Sequence, residues 1–295
     1  MLIVVTMICV ACGLFFGPKV RRHAAATAIE QVGGRVRYAD APANKSGIFA
    51  PLREYLPQDW FDEVIKVDLS PIYIYFHPTD ADLAAVAEFT ELESLDLGDT
   101  EVTDEGLVRL KSLTKLRILK LNKTKIGDAG LAALKGLTSL EELWLDQTRI
   151  TDAGLVDLKV LTRLRLLSLN WTQVTDAGLV ELIGLNSLHS LDLYDTRVTD
   201  VGLMQLRDLP SLRHMSLSHT LITDAGLPHL KEFPSLRAVA LDGTQITDSG
   251  IVHLKELTRL DSLYLTGSKI SEAGLDEIRA GLPKCYVWPK KEKSD

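Results

Sequence analysis

From Leu92 to Leu282 the apolar and polar positions follow one order that returns every 24 residues: L-x-x-L-x-L-x-x-T-x-[IV]-T-D-x-G-L-x-x-L-x-x-L. Eight consecutive units keep it without insertion. The first half of each unit has period two (L-x-L) and predicts a short strand; the second has helical spacing (G-L-x-x-L-x-x-L) and predicts a short helix. In the middle strand column, Met215 and Val239 are the only departures from leucine. One unit cannot bury its own apolar face, but stacked units bury all of them in a continuous core. The pattern therefore predicts an α/β solenoid in which each unit touches only its neighbours.

Three polar columns are as regular as the leucines. Thr100, Thr124, Thr148, Thr172, Thr196, Thr220 and Thr244, then Ser268, follow the strand. Their hydroxyls are expected to satisfy turn backbone groups of stacked units. Asp104, Asp128, Asp152, Asp176, Asp200, Asp224 and Asp248, then Glu272, stand at the start of the helix and read as capping and dipole complementation. The unbroken glycine column from Gly106 to Gly274 reads as close backbone approach or positive φ. Residues repeated in every unit serve the repeat, so none of them is a candidate for chemistry.

The stretch L-E-E-L-W-L-D-Q-T-R-I-T-D-A-G-L, residues 140–155, resembles the leucine-rich repeat family in its subclass with T-D-A-G-L at the start of the helix. The resemblance covers roughly residues 61 to 287. It implies a horseshoe with a parallel sheet on the concave side and short helices on the convex side.

Selectivity then has to lie in the positions that vary. Residues flanking the third strand leucine are expected to point to the concave face. Trp144, Trp171 and Tyr194 fall there in successive units, with Asp146, Asp192, Asp195 and His219 around them. Exposed aromatics ringed by polar groups are the usual composition of a protein-binding hot spot. The seven residues are the candidate partner-binding site, for a protein or a glycan ligand. The alternative is that the rings only cover strand backbone, which would leave a structural scaffold. At the strand start, Glu93, Arg117, Glu141, Arg165, His189, Arg213, Arg237 and Asp261 largely alternate in sign and read as a ladder of cross-strand ion pairs.

Chemistry is thinly represented. His229 and His253 are one repeat apart with Glu277 in the next unit, a set that a metal would accept only if convex helices did not splay. Ser190, His214 and Asp192 can be drawn as a hydrolytic triad, but nothing supplies an oxyanion hole. No phosphate-binding loop, dinucleotide fingerprint or zinc-binding set is present. No cofactor, metal or small-molecule substrate is expected. The chain reads as a non-enzymatic interaction module, with a hydrolase or metal-dependent enzyme as the distant alternative. Cys9, Cys12 and Cys285 are too few for a disulfide framework and read as apolar packing.

The ends complete the picture. Residues 1–18 form an uncharged apolar segment followed by Lys19, Arg21 and Arg22. It reads as a transmembrane or signal-anchor helix slightly shorter than a full span. The alternatives are cleavage to a secreted or periplasmic form, or lipidation at Cys12. Residues 19–60 read as a juxtamembrane helix ending near Gly33-Gly34, then R-V-R-Y and a linker. Residues 61–91 read as a degenerate capping repeat whose return limb starts four residues late. The eight repeats span 92–281, and 282–295 form a closing strand and tail. The span, A-I-E-Q-V-G-G-R-V-R-Y, V-I-K-V-D-L and the T-D-A-G-L units together resemble membrane-anchored leucine-rich repeat proteins of planctomycete-type bacteria. That resemblance implies envelope association without a defined activity.

The formal net charge is −7, yet residues 1–40 hold five Lys/Arg against two acidic residues, so the acidity concentrates in the repeats. An acidic body excludes nucleic acid, whose binding rests on phosphate neutralisation.

Overall fold

The computed structural model describes residues 19–31, 33–39, 64–70 and 78–290. Its frame is one 11-stranded sheet whose strands run in chain order. β1 (Arg35–Tyr38) pairs antiparallel with β2 (Val64–Asp68). From β2 onward the described pairings are parallel, through β3 (Ser94–Asp96), β4 (Ile118–Lys120), β5 (Glu142–Trp144), β6 (Leu166–Ser168) and β7 (Ser190–Asp192). The series closes with β8 (His214–Ser216), β9 (Ala238–Ala240), β10 (Ser262–Tyr264) and β11 (Tyr286–Trp288).

Each repeat strand is three residues long and centred on the middle leucine column. Leu95, Leu119, Leu143, Leu167 and Leu191 are fully buried, and their strand neighbours are partly exposed on the other face of the sheet, except Ser168, which is itself covered. In the first five repeats the return limb is one or two helical turns followed by a 3-10 turn, as in Asp152–Leu155 and Leu158–Val160, whereas in the unit starting at Leu236 the 3-10 turn Asp248–Gly250 comes before the helical turn Ile251–Leu254. In the unit starting at Leu212 the α turn is missing and Leu227–Glu232 is wholly 3-10. Pro228 lies in that turn and has no N–H to donate back along a helix.

The threonine column is buried, with relative exposures of 1 to 7% from Thr100 to Thr244. Each hydroxyl donates to the carbonyl three residues before it in its own repeat, at 2.5 to 2.7 Å, as Thr148 does to Leu145. These bonds close the turn after the strand within one unit and do not tie one unit to the next, contrary to the expectation from stacking.

The aspartates do that instead. In the helical turns Asp152–Leu155, Asp176–Leu179 and Asp200–Gln205 the preceding threonine caps the helix, its oxygen accepting from the N–H two residues on. The aspartate is the first helical residue, and its carboxylate reaches across the stack. Asp128 accepts from Thr151 N at 2.8 Å and from Thr151 Oγ1 at 2.6 Å. Asp152 with Thr175, Asp176 with Thr199, Asp200 with Thr223 and Asp224 with Thr247 repeat this two-bond rung. Where Gly127 replaces the threonine, Asp104 keeps only the backbone bond, 2.7 Å.

This ladder explains the glycines. A Cβ at Gly154 would lie 2.5 Å from Oδ1 of Asp128, and one at Gly226 would lie 2.3 Å from Oδ1 of Asp200. The column therefore makes room for the previous repeat's carboxylate, rather than for backbone or for positive φ. Its ends obey the same logic. Asp80 makes the first rung, to Thr103, and with no described rung beneath it the glycine position of its own unit holds Asp82. The Asp82 carboxylate turns back to accept from Thr79 N at 2.8 Å. In the last unit Ser271 still receives a rung from Asp248, and Glu272 takes the aspartate's place.

The core is closed at the N-terminal end by α1, helical over residues 19–31, which buries Ala25, Ala26 and Ile29 on the solenoid. β1 follows directly, so this region and R-V-R-Y form the cover of the open end of the sheet. At the far end α2 (Glu272–Gly281), the longest of the repeat helices, and β11 cover the other opening. Segment 1–18, expected to span a membrane, and most of the expected linker lie outside the described residues. Among the described residues no helix is long and apolar enough to cross a membrane.

Candidate functional site

The seven residues singled out in the sequence fall on two distinct tracks. One track is the turn immediately after each strand, where Asp99, Lys123, Gln147, Trp171, Asp195 and His219 adopt φ of 52 to 61° and Gly243 and Gly267 adopt 65 and 69°. Side chains in this left-handed conformation cost roughly 1–2 kcal/mol relative to glycine. The N–H of each such turn from Asp99 to Gly243 is used all the same: Trp171 N donates to Tyr194 O and His219 N to Asp242 O.

Along this edge Trp171, Tyr194 and His219 form a continuous row of rings. Trp171 and Tyr194 have centroids 4.6 Å apart at 53°, and Tyr194 and His219 are 4.9 Å apart at 49°. The row ends over Gly243, where a Cβ would sit 2.7 Å from the His219 ring. Trp171 is 46% exposed, among the most exposed large apolar side chains described. Asp195 lies exposed beside the row in the next turn.

The other track is the face of the sheet. Trp144 ends β5, in register with Lys120 and Ser168, with the Lys120 ammonium 6.0 Å from its ring centroid. Its Nε1 is buried without a hydrogen-bond partner among the described residues. Asp146 is tied into the scaffold, accepting from Ser168 Oγ and from Asn170 N, the latter at 2.9 Å. Asn170 Oδ1 in turn accepts from Tyr194 N, and Asp242 Oδ1 from Thr266 N, so this column is a second inter-repeat ladder. Tyr194 interrupts it by placing a ring where its neighbours place a short acceptor. The column before the middle leucine, with Ile118, Leu166 and His214, also faces out of the sheet; the sequence reading did not place it there.

Asp192 closes β7 between these tracks. Burial and then the nearby Asp146 charge push its carboxyl from 3.8 up to about 6. The folded state therefore holds a proton that the unfolded chain releases near 3.8. Stability from this group is present below 3.8 and is lost as pH rises through about 6. Asp192→Asn is expected to raise Tm above pH 6 and to leave it unchanged below 3.8, as calorimetry at the two extremes would show.

The alternative chemistries are not assembled. Ser190 and His214 are register partners in β7 and β8, but no hydrogen bond joins Ser190, His214 and Asp192. Nδ1 of His229 meets Glu232 at 3.2 Å, and Glu277 accepts from Lys255 at 2.6 Å. Among the described residues no group of three His, Cys, Asp or Glu side chains is placed to hold a metal.

A parallel sheet of strands one repeat apart, each returned by a short helical turn, defines a repeat solenoid whose variable surface is the sheet face and its edges. The family model described as Leucine Rich repeat matches residues 90–111 and 112–135. An internalin structure from Listeria monocytogenes (inlC2) is 30% identical, with a TM-score of 0.51, over 64% of this chain and 84% of that one. A second Listeria monocytogenes internalin (inlF) shares the fold at 22% identity and a TM-score of 0.56, covering 71% of this chain. The match spans 64% of the inlF chain's own length. No curated protein matches. The chain belongs to the leucine-rich repeat family.

Proposed function

We propose that this solenoid is a protein-interaction module whose partner seats on the ring row Trp171–Tyr194–His219, with Asp195 beside it and Trp144 and Asp192 on the adjoining sheet face. Asp146 contributes by fixing the second ladder. One observation carries the reading. Trp171 occupies a left-handed turn position that glycine fills at Gly243 and Gly267, and it is nearly half exposed there. Its contact with Tyr194 covers one part of the ring and leaves the other in solvent, a large apolar face that the fold itself does not use. Exposed, pre-stacked rings are rigid anchors that lose little entropy on binding. Family membership and the likeness to internalins support the same class of function. The uncharged run 1–17, closed by Lys19, Arg21 and Arg22, supports tethering of the module to a membrane.

The test is a photo-crosslinking side chain placed at Asp195 and, separately, at Val252, which is 55% exposed on the helical side. In native membranes the first is expected to give one discrete protein adduct and the second none. Equal adducts from both positions, or none from Asp195, would overturn the site. Release of the chain by carbonate washing of those membranes would overturn the tether.

A further inference from the structure

The strand-start column departs from the expected ion-pair ladder halfway along the solenoid, and that departure marks a second site. Arg117 behaves as expected: it is bidentate on Glu141, at 2.9 and 3.0 Å, with Glu93 at 3.9 Å. From there the column reads Arg165, His189, Arg213 and Arg237, with no acidic residue between them. Parallel neighbours of like charge repel, so this run is unfavourable to the sheet itself.

Farther along, the edge satisfies itself through backbone. Arg237 donates to Arg259 O, Arg259 to Pro234 O and Ser235 to Pro210 O. Between the two regimes lies an open cleft of about 500 Å³, lined by Arg117, Glu141, Arg163, Arg165, Asn186, Ser187, His189 and Ser211. Both oxygens of Glu141, its one carboxylate, are occupied by Arg117, which holds Glu141 below the usual carboxylate range. Arg163 and Arg165 are exposed, and among the described residues their guanidinium groups form no ion pair or hydrogen bond, although both lie near enough to Glu141 for their charges to lower its carboxyl further; the hydroxyls of Ser187 and Ser211 are likewise without a partner among the described residues. His189 donates Nδ1–H to Ser187 O, which fixes its ring in the cleft wall. The cleft thus gathers two unspent guanidinium forks and two hydroxyls on a protein whose net charge is −7.

We propose that this cleft binds an oxyanion of the phosphate or sulfate class, held by the guanidinium groups of Arg163 and Arg165 with Ser187 and Ser211 as further donors. Planar forks facing unpaired into one space suit tetrahedral oxyanions better than point charges do. The site is on the strand-start edge, opposite the ring row, and its failure would leave the interaction reading untouched.

The test is calorimetric titration of the full-length chain in nonionic detergent, with inorganic phosphate, inorganic sulfate and glucose 6-phosphate as probes. Saturable binding is expected to weaken by roughly tenfold or more in Arg163→Ala/Arg165→Ala, a loss of about 1.4 kcal/mol or more. It should be unchanged in Arg207→Ala, on the helical side. Tighter binding of the sugar ester than of inorganic phosphate would assign the anion to a larger ligand; equal binding would assign the free ion. No saturable binding, or equal binding by the double variant and the wild type, would overturn the site.

Discussion

Replacing Gly226 by alanine is expected to destabilise this protein, the opposite of what that change does in an ordinary helix. A glycine in a helical segment costs about 0.5–1 kcal/mol relative to alanine. Gly226 has φ −77° and ψ −26°, a conformation alanine adopts freely. The three atoms nearest its would-be Cβ all belong to the Asp200 side chain, at 2.3, 3.1 and 3.4 Å. Asp200 has nowhere convenient to go, because its two oxygens hold Thr223 N at 2.9 Å and Thr223 Oγ1 at 2.6 Å. The substitution must either break this rung or force the repeats apart, at about 1–3 kcal/mol. Asp200→Ala alone is expected to cost a similar ~1–3 kcal/mol by leaving the Thr223 donors unpaired. In the double variant the added methyl has room, so the two losses should fall short of additive by at least ~1 kcal/mol. Urea denaturation of the four proteins measures this. Strict additivity, or a stabilising Gly226→Ala, would remove the carboxylate ladder as the reason for the glycine column.

That ladder shows where sequence reading succeeds and where it stops. The leucine columns follow from period alone, since Leu95 and Leu119 have one way to be buried in a stack. The regularity of Thr, Asp and Gly marked them as framework, but the bonds they make were not legible. Whether Asp128 caps its own helix or reaches Thr151 depends on how one coil sits on the next, and no spacing encodes that. The substitution of Asp82 for glycine in the first unit was a visible signal that the glycine answers to a neighbour below. β1 was harder: R-V-R-Y is four residues, too short to announce a partner, and only its pairing with β2 makes it part of the cap.

The candidate site was half legible. Trp144 and Trp171 differ by three positions within the repeat, enough to put the first on a strand and the second in a left-handed turn. Column position alone grouped them; backbone conformation separates them. The like-charged run Arg165, His189, Arg213 and Arg237 was present in the sequence, but average alternation concealed it until the ion pairs were placed.

The interaction surface itself is tested most directly by removing the rings with residues the repeat already uses. Glycine stands at the Trp171 position in Gly243 and Gly267, and serine stands at the Tyr194 position in Ser218. Trp171→Gly relieves a left-handed side chain worth about 1–2 kcal/mol. Tyr194→Ser forfeits a ring contact worth about 0.5–1.5 kcal/mol and supplies a ladder acceptor like Ser218, which accepts from Asp242 N at 3.2 Å. The two effects nearly cancel, so the double variant should unfold within a few degrees of the wild type. Anchoring aromatics of a binding hot spot each contribute about 2 kcal/mol or more, so partner capture should fall by well over tenfold. The decisive measurement is the yield of the Asp195 photo-adduct in the Trp171→Gly/Tyr194→Ser chain at unchanged Tm. Near-complete loss of the adduct is the predicted result; an adduct of undiminished yield would contradict the assignment of function to this row of rings.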